Sequence, residues 1–305
     1  MKYQSSLKWM IPLIFVLALF AAAAGLYWPA GDGQPYEMTT FRGEAVKINA
    51  RGLYYYDTVS SMAQMQANDL TTLLVGLPLL AFSTWLAFRG SLKGKLLLAG
   101  TLGFFLYTYM SMAFNTAFND LFTVYVVLFS LSLFAFILTM MSFDLNTLPE
   151  YFSDALPRRT IATLLIIAAV FLLVAWFGGR ILPTITQDAV PAMENTTTMV
   201  IQAMDLGLIV PFSLLAAVLL LRRSAWGYLL SSVAVMKFLT MGLAVSGMGI
   251  NMARNGEPDS MVLVGIFLVI TIANMVMAFF LLKNIKQPAA KKPSALKAAK
   301  AGVKH

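Results

Sequence analysis

Eight apolar runs, each close to twenty residues long, constrain this chain more than any other feature. They fall at roughly residues 10–28, 70–88, 96–117, 121–142, 160–178, 199–221, 225–249 and 260–282. About 20 apolar residues is the length a helix needs to cross a ~30 Å hydrocarbon layer, and a helix satisfies its own backbone there. The expected fold class is therefore all-α: a polytopic membrane protein with eight transmembrane helices. Composition agrees, since 59% of the 305 residues are hydrophobic, only 12% are charged, and the mean hydropathy is +0.76.

The net charge of +8 suggests nucleic acid until its placement is read. With the N-terminus in the cytoplasm, sixteen of the 22 basic residues lie on that side: Lys2, Lys8, Arg89, Lys93, Lys95, Arg158, Arg159, Arg222, Arg223 and seven lysines of the tail. Five lie outside (Arg42, Lys47, Arg51, Arg180, Arg254), and Lys237 falls within a span. This is the positive-inside bias of a cell (inner or plasma) membrane protein with both termini cytoplasmic, not a nucleic-acid footprint. The first run also resembles a signal peptide, with Lys2 and Lys8 ahead of it and Ala21-Ala22-Ala23-Ala24 near its end. Its length and the Tyr27-Trp28 pair at its outer end favour an uncleaved helix; cleavage would leave seven spans and an external N-terminus.

Residues 29–69 form the one long external segment. Alternation at Ala45-Val46-Lys47-Ile48 predicts a short hairpin within Phe41 to Tyr56, and Asp57 is positioned to cap a helix from Thr58. Tyr54-Tyr55-Tyr56 reads as an interfacial aromatic belt, with ligand contact as the other reading. The stretch 285–305, rich in Lys, Ala and Pro, is expected to be a disordered cytoplasmic tail. It either holds anionic lipid headgroups, at ~1 kcal/mol per basic residue, or serves only as a topology anchor.

One pattern occurs twice. Gln66-Ala67-Asn68-Asp69-Leu70, Pro78 and Arg89-Gly90-Ser91 are echoed by Gln202-Ala203-Met204-Asp205-Leu206, Pro211 and Arg222-Arg223-Ser224. From Pro78 to Leu97 and from Pro211 to Leu230 the copies align without a gap, matching Leu86/Leu219, Gly94/Gly227 and Leu96/Leu229 among others. The copies sit at the second and sixth spans, so the unit is four helices: 1–142, including the external segment, and 143–284. An even-numbered unit keeps its orientation, which predicts two parallel repeats about an axis along the membrane normal.

Within the spans, ionisable residues are rare and costly, and therefore candidate sites. Asp205 lies about 9 Å inside the outer edge at ~1.5 Å per residue. Pro211 withholds a donor from the carbonyl of Gly207 one turn below it. Asp69 is its counterpart, with Pro78 freeing the carbonyl of Leu74. Lys237 lies near the centre of the seventh span, where a lysine costs ~2.5–3.5 kcal/mol. In an antiparallel hairpin Asp205 is level with residue 242, so Gln202, Thr240, Ser246 or a water is expected to bridge it to Lys237. Tyr107, Ser111 and Asn115 form a polar stripe that lines a cavity or bonds neighbouring helices. The plain alternatives are an Asp–Lys pair that only fixes packing and an Asp69 that caps its helix.

Other chemistry is largely excluded. There is no cysteine, and the single histidine is His305. Met62, Met65, Met110 and Met112 are the only methionine set suited to copper(I), and methionine is more often apolar filler. A Schiff base on Lys237 has no supporting flanking sequence. Asn195-Thr196-Thr197 is a glycosylation sequon on an outer loop. Asn274 reads as a polar contact between helices. No cofactor, metal or catalytic residue is implied, and the lipid bilayer is the one expected partner apart from a small solute or ion. The leading functional expectation is a permease-like protein for an ion or small solute. Asp205 is its cation or proton ligand and Lys237 the counter-charge, with Gln202 and Tyr107 beside them and Asp69 and Asn115 at the entrance. The alternative is a non-transporting scaffold or sensor acting through the external segment; an intramembrane enzyme lacks the acid–base pairs it would need.

Overall fold

The structure, a computed structural model, describes residues 1–187, 193–256 and 260–286. The expectation for the tail from 287 onward lies outside the described residues. Eight helices are long and apolar enough to span a membrane. They are α1 (Gln4–Tyr27), α2 (Val59–Phe88), α3 (Leu92–Asn115), α4 (Phe122–Met141), α5 (Arg158–Gln187), α6 (Val200–Leu221), α7 (Ala225–Arg254) and α8 (Ser260–Lys283). Between α1 and α2 lies a two-stranded antiparallel sheet, β1 (Tyr36–Thr39) on β2 (Ala45–Ile48), with Tyr36 opposite Ile48. The expected strand at 45–48 is present, but its partner, Tyr36–Thr39, lies ahead of the expected stretch Phe41 to Tyr56, and the turn falls at 40–44.

Helix starts follow side-chain capping. The Thr58 hydroxyl accepts from Ser61 N–H, and Ser91 and Ser224 accept from Gly94 and Gly227. Each satisfies an amide that the first turn leaves free, worth about 1 kcal/mol. Thr58 is therefore the cap expected of Asp57. It starts α2 eleven residues ahead of its apolar run.

The two proline segments have the same local build. π-helical turns occupy Thr72–Gly76 and Asp205–Ile209, each ending just ahead of the residue before the proline. A proline supplies no N–H and its ring crowds the preceding turn, so the ladder widens there to i→i−5. Both helices then close identically. Ser91 and Ser224 N–H bond the carbonyls of Leu86 and Leu219 at 3.1 and 3.0 Å, and Gly90 and Arg223 both have positive φ. Gly94 and Gly227 pack on the preceding helix so closely that a Cβ would lie 2.3 Å from Leu86 Cβ or 2.2 Å from the Leu219 carbonyl carbon. Counted from the proline, however, Asp205 takes the place of Thr72, and Asp69 sits three residues earlier.

Burial marks the centre of the bundle: 67% of the apolar window is buried in both α3 and α7, against 22–39% in the other six spans. One apolar core joins α1–α4, with Ala244 of α7; the other joins α5–α8 with Leu96, Leu97 and Ala99 of α3. Helices α3 and α7 touch where Gly100 faces Met236, a Cβ on Gly100 falling 2.3 Å from Met236 Cβ. At one end of the bundle the segment 149–153 pairs with the end of α8, through Ser153 N–H to Asn284 O and Lys286 N–H to Tyr151 O. The first residues of the expected tail, Ile285 and Lys286, are thus ordered. At the other end the hairpin segment meets the loop before α6, where Arg42 donates to the carbonyls of Thr196 and Thr197.

Candidate functional site

Asp205 opens the π-helical turn of α6 and is buried, with 8% of its surface exposed. Both carboxyl oxygens are taken. The Tyr107 hydroxyl of α3 donates to Oδ1 at 2.6 Å, and the indole N–H of Trp176 on α5 donates to Oδ2 at 2.8 Å. Trp176 itself belongs to a nine-residue π-helical stretch, Leu173–Ile181. Asp205 and one of its two donors therefore both lie on irregular turns, which recur at functional sites.

Lys237 is equally buried at 8% exposure, and its ammonium lies over the Tyr107 ring, 4.1 Å from the centroid, with Phe238 at 5.4 Å. It makes no ion pair with Asp205 among the described residues, although the Asp205 charge acts on it. Tyr107 is the bridge: its ring receives the cation and its hydroxyl donates to the acid. A cation over a desolvated ring is worth up to about 2 kcal/mol, and a hydrogen bond to a charged acceptor about 1.5–3 kcal/mol. This replaces the expected bridge through α6 or α7. Thr240 and Ser246 turn instead to their own helix, bonding the carbonyls of Lys237 at 2.9 Å and Gly242 at 2.8 Å.

Glycine spacing brings these groups together. Gly100, Gly103 and Tyr107 recur at intervals of three and four and so share one face of α3. The Lys237 stem runs along that face, its Cγ 3.7 Å from where a Gly103 Cβ would be. Small residues at a helix crossing allow such an approach in a membrane. Gly100, Gly103 and Trp176 are not among the site residues expected from the sequence. The first two were visible as a small-residue pair seven and four positions before Tyr107; Trp176 carries no comparable signal.

The remaining candidates separate. Asp69, 3% exposed, accepts the Tyr54 hydroxyl at 2.5 Å, on the side of α3 where Tyr109 rather than Tyr107 lies. Tyr54 is 1% exposed and so does not belong to an aromatic belt, whereas Tyr55 and Tyr56 are exposed. Its position is set by Asn49, whose amide donates to the carbonyls of Arg51 and Tyr54 and folds the loop inward. Asn115 ends α3 half-buried, and Gln202 is half-buried on α6. Neither joins the Asp205 hydrogen bonds. The Thr116 hydroxyl lies 3.6 Å from the sulfurs of both Met65 and Met112, which pack in the core with Met62. Within the sequon, Asn195 donates to the Tyr56 carbonyl at 2.8 Å.

Asp57, expected as a cap, instead knits loops together. Its Oδ1 accepts from Ser61 Oγ and from Ala117 N–H at the α3–α4 connection. Burial lifts its carboxyl from the ordinary 3.8 to about 7, with the nearby Glu194 charge adding to the rise.

No family model, curated protein or solved structure matches this chain. What the elements define is a class: a helical, multi-pass membrane protein with an acid and a lysine buried on either side of one tyrosine.

Proposed function

We propose that the chain is a permease-like protein of the cell membrane that moves an ion or small solute, with Asp205, Tyr107 and Lys237 as its ion- or proton-responsive site. One observation carries this reading: a carboxylate and an ammonium sit inside the bundle in contact with one side chain, where four spans meet and two of them are π-helical. Charges so placed are costly in hydrocarbon and are kept where they serve a pathway. Supporting the same reading, the proline segments of α2 and α6 share turn, cap and glycine contact, as expected of two parallel four-helix repeats. The bundle end rich in Lys and Arg is then cytoplasmic, with both termini, and the hairpin faces outward. A site between the halves is supported by the small residues at the α3–α7 crossing.

The test is flux. Purified protein in liposomes carrying a pH-sensitive dye is given an imposed K+ gradient, and proton, Na+ and K+ movement are followed. Wild-type flux that falls in both Asp205→Asn and Lys237→Met supports the site; flux unchanged in both overturns it.

A second reading is a sensor. A cavity of about 370 Å³ lies between the external segment and the ends of α1, α2 and α7, with Lys47, Arg51 and Gln66 among its lining residues. Stoichiometric copurification of a partner without any flux would favour it.

A further inference from the structure

A second set of buried polar groups lies at the hairpin end, between the external segment and α2–α4. Asp69 is held by Tyr54, and no cation among the described residues acts on it. Tyr109 of α3 and Tyr125 of α4 stack at 6.4 Å and 23°, and both feel the Asp69 charge. The Tyr125 hydroxyl is sealed and, among the described residues, makes no hydrogen bond, although Tyr54 and Asn119 act on it. Oδ2 of Asp57, whose charge also reaches Tyr125, is likewise sealed and without a partner among the described residues. Buried orphans of this kind are partnered by ordered water or have a functional role.

The cavity reaches this cluster. Gly25 and Tyr54 line it, and a Cβ on Gly25 would lie 1.9 Å from Asp69 Oδ2 and 2.7 Å from the Tyr54 hydroxyl. Gly25 and Tyr54 therefore line the cavity and also lie against the carboxyl. Gln66 and Asn49 line the same space and offer water polar partners. A metal ion is a poor occupant, because no group of three or more His, Cys, Asp or Glu among the described residues could hold one. A proton needs one oxygen.

We propose that Asp69 is a proton-binding site, separate from the Asp205 cluster, that exchanges with solvent at the hairpin end through the Tyr54 hydroxyl. In one exchange the Tyr54 O–H bond breaks and its proton forms a new O–H bond at Asp69 Oδ2. As it does so, a hydronium in the cavity gives its proton to the Tyr54 oxygen and is left as water, so no free phenolate forms. One proton moves inward and no electrons change hands. The groups facing Asp69 are Tyr54 from the external segment, Tyr109 from α3 and Tyr125 from α4; Gly25 faces it from α1. Where α7 packs on α2 near Asp69 it presents uncharged groups, Gly247 beside Ala67 and Asn251 on the Ala63 carbonyl. Asp57 gives the same end of the bundle a second carboxyl, and its lift to about 7 lets it change charge near neutral pH.

Infrared spectroscopy of the full chain in detergent tests this without any transport assay, so its failure is distinct from failure of the permease reading. A protonated-carboxyl C=O band is expected that disappears in Asp69→Asn and shifts promptly on transfer to D2O. If Asp69→Asn does not fold, Asp69→Glu must move the band instead. Tyr54→Phe removes one oxygen and should slow the D2O shift at least about tenfold, the equivalent of one hydrogen bond to a charged group. No Asp69-dependent band at any pH, or exchange in Tyr54→Phe as fast as in wild type, overturns the proposal.

Discussion

Replacing Tyr107 by Phe separates the two roles of one side chain. The ring stays beneath Lys237, so the cation–π contact at 4.1 Å is retained, while the 2.6 Å bond to Asp205 Oδ1 is lost. Asp205 keeps the Trp176 N–H on Oδ2, so one oxygen of a buried carboxylate is left without its donor. Hydrogen bonds to charged groups contribute about 1.5–3 kcal/mol, whereas interhelical hydrogen bonds in membranes average only about 0.6 kcal/mol. A charged acceptor at Tyr107 therefore requires a loss in the upper range. Denaturant unfolding in mixed micelles measures it, and a cycle with Asp205→Asn isolates the pair. Tyr107→Phe should cost about 1.5–3 kcal/mol in the wild-type background and well under half of that when Asp205 is already Asn. Tyr107→Leu should cost a further ~0.5–2 kcal/mol, because the ring under Lys237 goes as well. A coupling at or below about 0.6 kcal/mol would refute the view that Tyr107 holds a charged acceptor.

Four further outcomes are expected. Because the Asp57 carboxyl rises from 3.8 to about 7 on folding, the folded state binds the extra proton between those values. Stability should therefore fall as pH climbs through that window, by at most about 4 kcal/mol, and Asp57→Asn should flatten the melting-temperature profile. Gly94→Ala and Gly227→Ala each drive a Cβ to 2.3 or 2.2 Å from the preceding helix and should cost about 1–3 kcal/mol or more. Gly207→Ala, with nothing within 4 Å, should be neutral or slightly stabilising in the same unfolding assay. Ser91→Ala and Ser224→Ala remove matching caps and should each lower stability by about 1 kcal/mol.

Much of the architecture was legible because its determinants are local. Whether twenty residues prefer hydrocarbon depends on their own side chains, so the eight spans needed no partner to be read. Ser91 and Ser224 announce helix starts for the same reason, since a cap bonds an amide three residues away. The element at 45–48 was legible as a strand, but not its partner, because pairing depends on where the chain turns. Tyr54 misled for a related reason. Beside a membrane, a tyrosine that stays at the interface and one whose loop folds back to an acid have the same local sequence.

The site divides along the same line. Asp205, Lys237 and Asp69 stand out from sequence because an ionisable group in an apolar run carries its cost wherever it lies. Their partners do not stand out. That Tyr107 meets both Asp205 and Lys237, while Tyr109 lies on the Asp69 side, depends on α3 passing between α2 and α6. It depends also on Gly100 admitting α7 to close range. The sequence alone therefore determined how many helices are long and apolar enough to cross a membrane, and which residues are expensive to bury. Tertiary packing decided which of those residues meet, because distances between helices are set by side chains far apart in the chain.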